Sequence, residues 1–171
     1  MRRGATGLLG ALVGLGLLCG CSPARLPLVA VWTSPDGTAV ARVQPCPGDH
    51  ASRMDLRSWD ERESDDAPSG ALPDEAADSG WDMWSSARIG RTTFPVFEPP
   101  ESWRVETEGT QALLPGRTYA LSFFGPRGGD TYDGHVYFTA ADLASLRPGQ
   151  VWADDRAMSR SAFAELVGDT C

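Results

Sequence analysis

Few residues in this chain are equipped for chemistry. Only two histidines are present, His50 and His135. Neither belongs to a recognisable metal-ligand pattern, and the HExxH, P-loop, GxSxG and CxxC patterns are absent. No metal ligands and no cofactor are therefore assigned. His135 opens the alternating run His135-Val136-Tyr137-Phe138-Thr139, where a strand-edge His is expected to be structural or solvated. A Ser–His–acid set can be drawn around it, but no spacing singles one out, so no catalytic residue is assigned. Asp130 and Asp133 lie in the stretch GGDTYDG. Two carboxylates fall short of the about six to eight oxygens that Ca²⁺ takes. A hairpin turn with Asp-Gly at its tip is expected there instead. The remaining candidate is aromatic. Trp81, Asp82 and Trp84 set two indoles beside a carboxylate, a group able to stack on and hydrogen-bond a sugar ring or small solute. On a strand, Trp81 and Met83 face one way and Trp84 the other. Core packing is the competing use of such aromatic area.

Charge narrows the partners. All 15 basic side chains are Arg, and 23 Asp and Glu oppose them for a net charge of −8. That balance argues against a nucleic-acid binder, whose affinity comes largely from clustered basic side chains on phosphates. It also argues against a polybasic membrane-surface binder. Arg without Lys, with abundant Ala and Gly, fits a high-GC bacterial genome.

The first residues read as an address. Arg2 and Arg3 precede an apolar stretch over residues 8–18, broken only by glycines, and small residues follow. This is the layout of a secretory signal peptide, and it is short for a membrane span, which takes about 20 apolar residues. Leu18-Cys19-Gly20-Cys21 resembles the bacterial lipobox. The resemblance implies a signal peptide over residues 1–20, cleavage before Cys21, and diacylglycerol on the Cys21 thiol. Residues 21–27 would then be a lipidated tether. The protein would sit outside the cytoplasm, held by lipid to the outer face of the cell membrane. The overall layout is also similar to small actinobacterial lipoproteins, a likeness that brings no activity with it.

With Cys19 lost and Cys21 lipidated, Cys46 and Cys171 remain. Two thiols in an exported protein allow one intramolecular disulfide. A metal pair is the alternative, but two Cys without a nearby His pair make a poor zinc site.

Positioning elements follow from periodicity. Leu28–Trp32 and Thr38–Val43 flank the turn signal Ser34-Pro35-Asp36-Gly37, which predicts a hairpin. Alternation around Met54 and Leu56, strands over 81–89, 103–108 and 119–123, and the run from His135 add further strands. The Pro-rich segment 92–100 suits an edge. Residues 60–80 carry many acids and almost no large apolar side chain, which predicts a long acidic loop. A solvated connector is its simplest role; a cation site or an adhesion loop is the alternative. Thr139 and Asp142 form a capping-box pattern ended by Pro148-Gly149, and a second helix starts at Ser159 or Ser161. Residues 139–171 are thus expected to be a helical tail.

About seven strands in residues 28–171 predict a single, mostly β domain, a β-sandwich. Leu114-Pro115-Gly116-Arg117-Thr118-Tyr119-Ala120-Leu121 resembles the signature before strand F of fibronectin type III domains, with Leu113 where that family has its Leu. The resemblance implies an Ig-like or fibronectin-III-like sandwich with Tyr119 as its tyrosine corner. Three functions follow as expectations: a non-enzymatic interaction or accessory module of the cell envelope, a binding module for an envelope glycan or small solute, and, ranked last, a hydrolase built on His135 and a loop acid.

Overall fold

The computed structural model describes residues 23–60, 77–125 and 132–171. Residues 1–20, expected to be a signal peptide, together with Cys21, Asp130 and the acidic segment 61–76, lie outside the described residues. Eleven strands are described: β1 Ala24–Leu26, β2 Val29–Thr33, β3 Ala39–Val43, β4 Ala51–Asp60, β5 Ser79–Ile89, β6 Thr92–Pro95, β7 Val105–Glu108, β8 Arg117–Phe124, β9 Tyr132–Thr139, β10 Gln150–Ala153 and β11 Arg156–Ser159. Two helices accompany them, α1 Ala140–Ser145 and α2 Arg160–Thr170.

The strands form two sheets, one ordered β1-β9-β8-β4-β5-β7 and the other β11-β10-β2-β3-β6. Alternation explains why they face each other. Met54 and Leu56 of β4, Met83 of β5, and Leu121 and Phe123 of β8 are buried on the inner face of the larger sheet. Val29 and Val31 of β2 and Ala41 and Val43 of β3 meet them from the smaller sheet. Two indoles stitch the layers together. Trp81 Nε1–H donates to the Val96 carbonyl at 2.8 Å, and Trp152 Nε1–H donates to the Tyr137 carbonyl at 2.8 Å.

Strands β2, β3 and β6 in one sheet, with β9, β8, β4 and β5 in the other, make an Ig-like, fibronectin-III-like sandwich. Its corner is where the motif places it. The Tyr119 hydroxyl donates to the Ala112 carbonyl at 2.9 Å and accepts from the Leu114 N–H at 2.8 Å. Leu113 packs against the core, whereas Leu114 is exposed.

Several expectations are corrected. Residues 24–26 are not wholly tether: β1 pairs in parallel with β9. The 139–171 tail is not purely helical, because β10 and β11 form a hairpin inside it that extends the smaller sheet beside β2. The strand around Trp103 begins only at Val105 and is mostly exposed, since it pairs with β5 alone at the edge of its sheet. Asp133-Gly134 is not a turn tip but part of β9, opposite Phe124 and Phe123. Gly134 is required there, for a Cβ would lie 1.8 Å from the Phe123 ring. The acidic loop is shorter than residues 60–80, as Asp60 ends β4 and Ser79 begins β5.

The molecule has two poles. Ala24 lies beside Tyr132 at the start of β9, and α1 follows directly from the end of β9. The Thr139 side chain accepts from the Asp142 N–H at 3.1 Å, and Asp142 Oδ2 accepts from the Thr139 N–H at 2.8 Å, completing the expected capping box. Helix α2 starts with Ser159 as its N-cap and buries Phe163 and Val167 against the β10–β11 hairpin. Its end is clasped by the Cys46–Cys171 disulfide.

Candidate functional site

The outer face of the larger sheet gathers the side chains that could do work. Strand alternation aims Arg53, Asp55 and Arg57 of β4 outward, because Met54 and Leu56 point in. Register then sets their neighbours. Trp84, Arg53 and Phe124 form one row, and the next row runs Asp82, Asp55, Ser122 and His135.

The first row is a stacked ladder. The Arg53 guanidinium lies 4.4 Å from the centroid of the Trp84 ring and 4.9 Å from that of Phe124. Trp84 is 51% exposed, the most exposed large hydrophobic side chain described. Ion pairs brace the ladder from below. Asp82 takes Arg53 at 2.9 Å and also pairs with Arg57, while Asp55 lies 3.7 Å from Arg53 and 3.9 Å from Arg57. Burial lifts the Asp55 carboxyl to a pKa of about 6, against the opposing pull of Arg57 and Arg53. Beside this cluster a groove of about 270 Å³ carries Asp82, Glu106 and Glu108 on its walls.

The predicted trio of Trp81, Asp82 and Trp84 therefore divides. Asp82 and Trp84 share the outer face. Trp81 does not join them. It is 1% exposed, and its ring packs edge-on against Phe94 in the core. A strand cannot present neighbouring odd and even positions to one ligand. The partners of Trp84 are instead Arg53 and Phe124, from strands far away in sequence. Their signal is the Arg53-Asp55-Arg57 alternation, but the register that aligns them with Trp84 cannot be read from one strand alone.

The second row holds an acid, a serine and a histidine. Burial, helped by Arg25, holds the His135 imidazole below its usual range. Its ring meets Tyr137 edge-on at 5.5 Å. Ser122 stands between Asp55 and His135, whereas serine activation requires the imidazole between hydroxyl and carboxylate. Among the described residues no hydrogen bond joins the three. His50 lies on the loop before β4. No three His, Cys, Asp or Glu side chains converge as a metal site, and no helix is long and apolar enough to cross a membrane, among the described residues.

Fold and face together define a class: an Ig-like sandwich carrying a charged, aromatic patch on one open sheet. Comparison of the chain with protein-family models, curated proteins and solved structures finds no match.

Proposed function

We propose that this protein is a lipid-anchored, extracytoplasmic module of a bacterial cell envelope that binds a partner protein without catalysing a reaction. The observation that carries the reading is the Trp84–Arg53–Phe124 ladder. Aromatic and Arg side chains dominate the energetic centres of protein interfaces. Here the Arg is already stacked and ion-paired, so docking immobilises little that is still free. Glu106, Glu108 and Arg57 around it supply the polar rim that such a centre needs.

A glycan fits this patch less well. Arg53 covers one face of the Trp84 ring, and a sugar stacks on an open face. The anchor rests on Cys21, in its lipobox context at the end of the apolar segment.

A photoreactive side chain placed at position 84 in intact cells should give a discrete protein adduct. The same group at Glu165, on the exposed side of α2, should not. Arg53→Ala should cut the adduct at least fivefold. Saturable binding of cell-wall glycan fragments, lost in Trp84→Ala, would instead establish the glycan reading. Cys21→Ala should move the chain from the membrane to the soluble fraction, and a variant that stays membrane-bound overturns the anchor.

A further inference from the structure

At the pole opposite Ala24 lies a second concavity, remote from the ladder. It is a cleft of about 390 Å³ between the β2–β3 turn and the turn that joins α1 to β10. Trp32, Leu143 and Leu146 give it an apolar wall, and Arg147 and Arg160 stand at its margin. Among the described residues no carboxylate lines it, although acids outnumber Arg 23 to 15 in the chain. Among the described residues neither Arg147 nor Arg160 has an ion-pair partner. The Arg160 guanidinium rests 5.0 Å from the centroid of the Trp32 ring.

Both walls are held in place before any ligand arrives. Arg147 begins a tight turn in which the Gln150 N–H donates to the Arg147 carbonyl at 3.0 Å. Pro148 and Gly149 fill its centre, with Gly149 at φ 85°, the conformation that a type II turn demands at that position. The Gln150 side chain closes it by accepting from the Arg147 N–H at 2.8 Å. Across the cleft, the Ser34 carbonyl accepts from the Gly37 N–H at 2.9 Å, and the Ser34 N–H donates to the Thr38 carbonyl at 2.9 Å. An apolar pocket with two uncompensated, delocalised cations, Arg147 on a tight turn and Arg160 at the start of α2, matches a ligand with an apolar body and an anionic head.

We infer that the cleft between the β2–β3 turn and the α1–β10 turn binds a small organic anion, a phosphate or carboxylate carried on an apolar or aromatic group, from solution. The head pairs with Arg147 and Arg160, and the body packs on Trp32 and Leu146. The source is a free solute and not a membrane headgroup: this rests on the lipid anchor proposed above, which would hold the chain at β1 beside the start of β9, whereas the cleft is lined by α1, which follows the end of β9, and by the turn after it.

The test is a calorimetric titration of the full chain, purified in mild detergent, with phenyl phosphate. Saturable one-to-one binding is expected, weakened at least tenfold in Arg160→Ala and in Arg147→Ala and weakened by added salt. Phenol should not bind, and inorganic phosphate should bind more weakly than phenyl phosphate. Arg147→Lys should retain part of the affinity. Both arginines are exposed, so the variants should unfold at the wild-type temperature. Absence of saturable binding overturns the assignment, as does binding that survives the double Arg147→Ala, Arg160→Ala variant. Flotation of the Cys21→Ala chain with phosphatidylglycerol vesicles separates the two sources. No co-flotation is expected, and co-flotation lost in the double variant would overturn the solute in favour of a lipid headgroup.

Discussion

Asp55 sits among two arginines and a second carboxylate, yet its burial outweighs them: the carboxyl rises from the usual 3.8 to about 6. The unfolded chain ionises this group from pH 3.8 upward, while the folded chain keeps its proton until about pH 6. The folded state therefore binds the extra proton between those values, and the group's contribution to stability is lost as pH rises through them. A rise of that size corresponds to about 3 kcal/mol, an order-of-magnitude figure for a charge cluster. An asparagine at this position cannot ionise. The stability of Asp55→Asn relative to wild type should therefore increase by about 2–3 kcal/mol between pH 4 and pH 7, measured by urea denaturation. A constant difference across that range would show that Asp55 titrates normally. The residue scale also shows what one sequence can carry. That Trp81 and Trp84 face opposite ways, leaving one indole exposed, is legible from strand alternation. Arg53 and Phe124 are not, because a stacked partner is set by register between strands, and register is a property of pairs.

Elements with a local cause are legible in the sequence. The Ser34-Pro35-Asp36-Gly37 turn, the capping box at Thr139 and the corner at Tyr119 each rest on bonds within a few residues. The β10–β11 hairpin escapes the sequence for an equally local reason. Ala153 pairs with Arg156, leaving a two-residue loop, and Asp154 and Asp155 both adopt φ 53°. Such a turn ordinarily advertises itself with Asn-Gly or Asp-Gly. Asp-Asp carries no such signal, and the helical patterns on both sides make the whole segment read as a tail. The same mismatch yields a prediction. Asp is tolerated at positive φ but Asn and Gly are favoured. Replacing Asp154-Asp155 by Asn-Gly should stabilise the protein by about 0.5–1 kcal/mol. The exposed Arg156–Asp154 pair at 3.2 Å that is lost is worth little. An unchanged or lowered denaturation midpoint would mean that the hairpin is held by its packing on α2 rather than by its turn.

Across the whole molecule, helix α2 and the disulfide at its end connect the two poles. Helix α2 begins at Arg160 on the rim of the cleft and ends at Cys171 beside Cys46. Cys46 belongs to the opposite pole, where its N–H donates to the Tyr132 hydroxyl at 2.9 Å. Only Phe163 and Val167 of α2 are fully buried, so apolar packing alone holds the helix weakly. The disulfide joins residues 125 apart. In the chain-entropy model, closing a loop of that size contributes about 5 kcal/mol. That term is large against a typical domain stability of about 5–15 kcal/mol. Reduction should therefore lower the melting temperature by on the order of 10 °C. The loss should start at α2: amide exchange should accelerate first in residues 160–170, while the central strands β4 and β8 stay protected until global unfolding. Arg160 would lose its fixed position over Trp32, so phenyl phosphate should bind the reduced protein more weakly than the oxidised one. Uniform loss of protection in helix and sheet together would show that α2 and the sandwich unfold as one unit. In that case the clasp would serve global stability rather than the seating of the helix at the cleft.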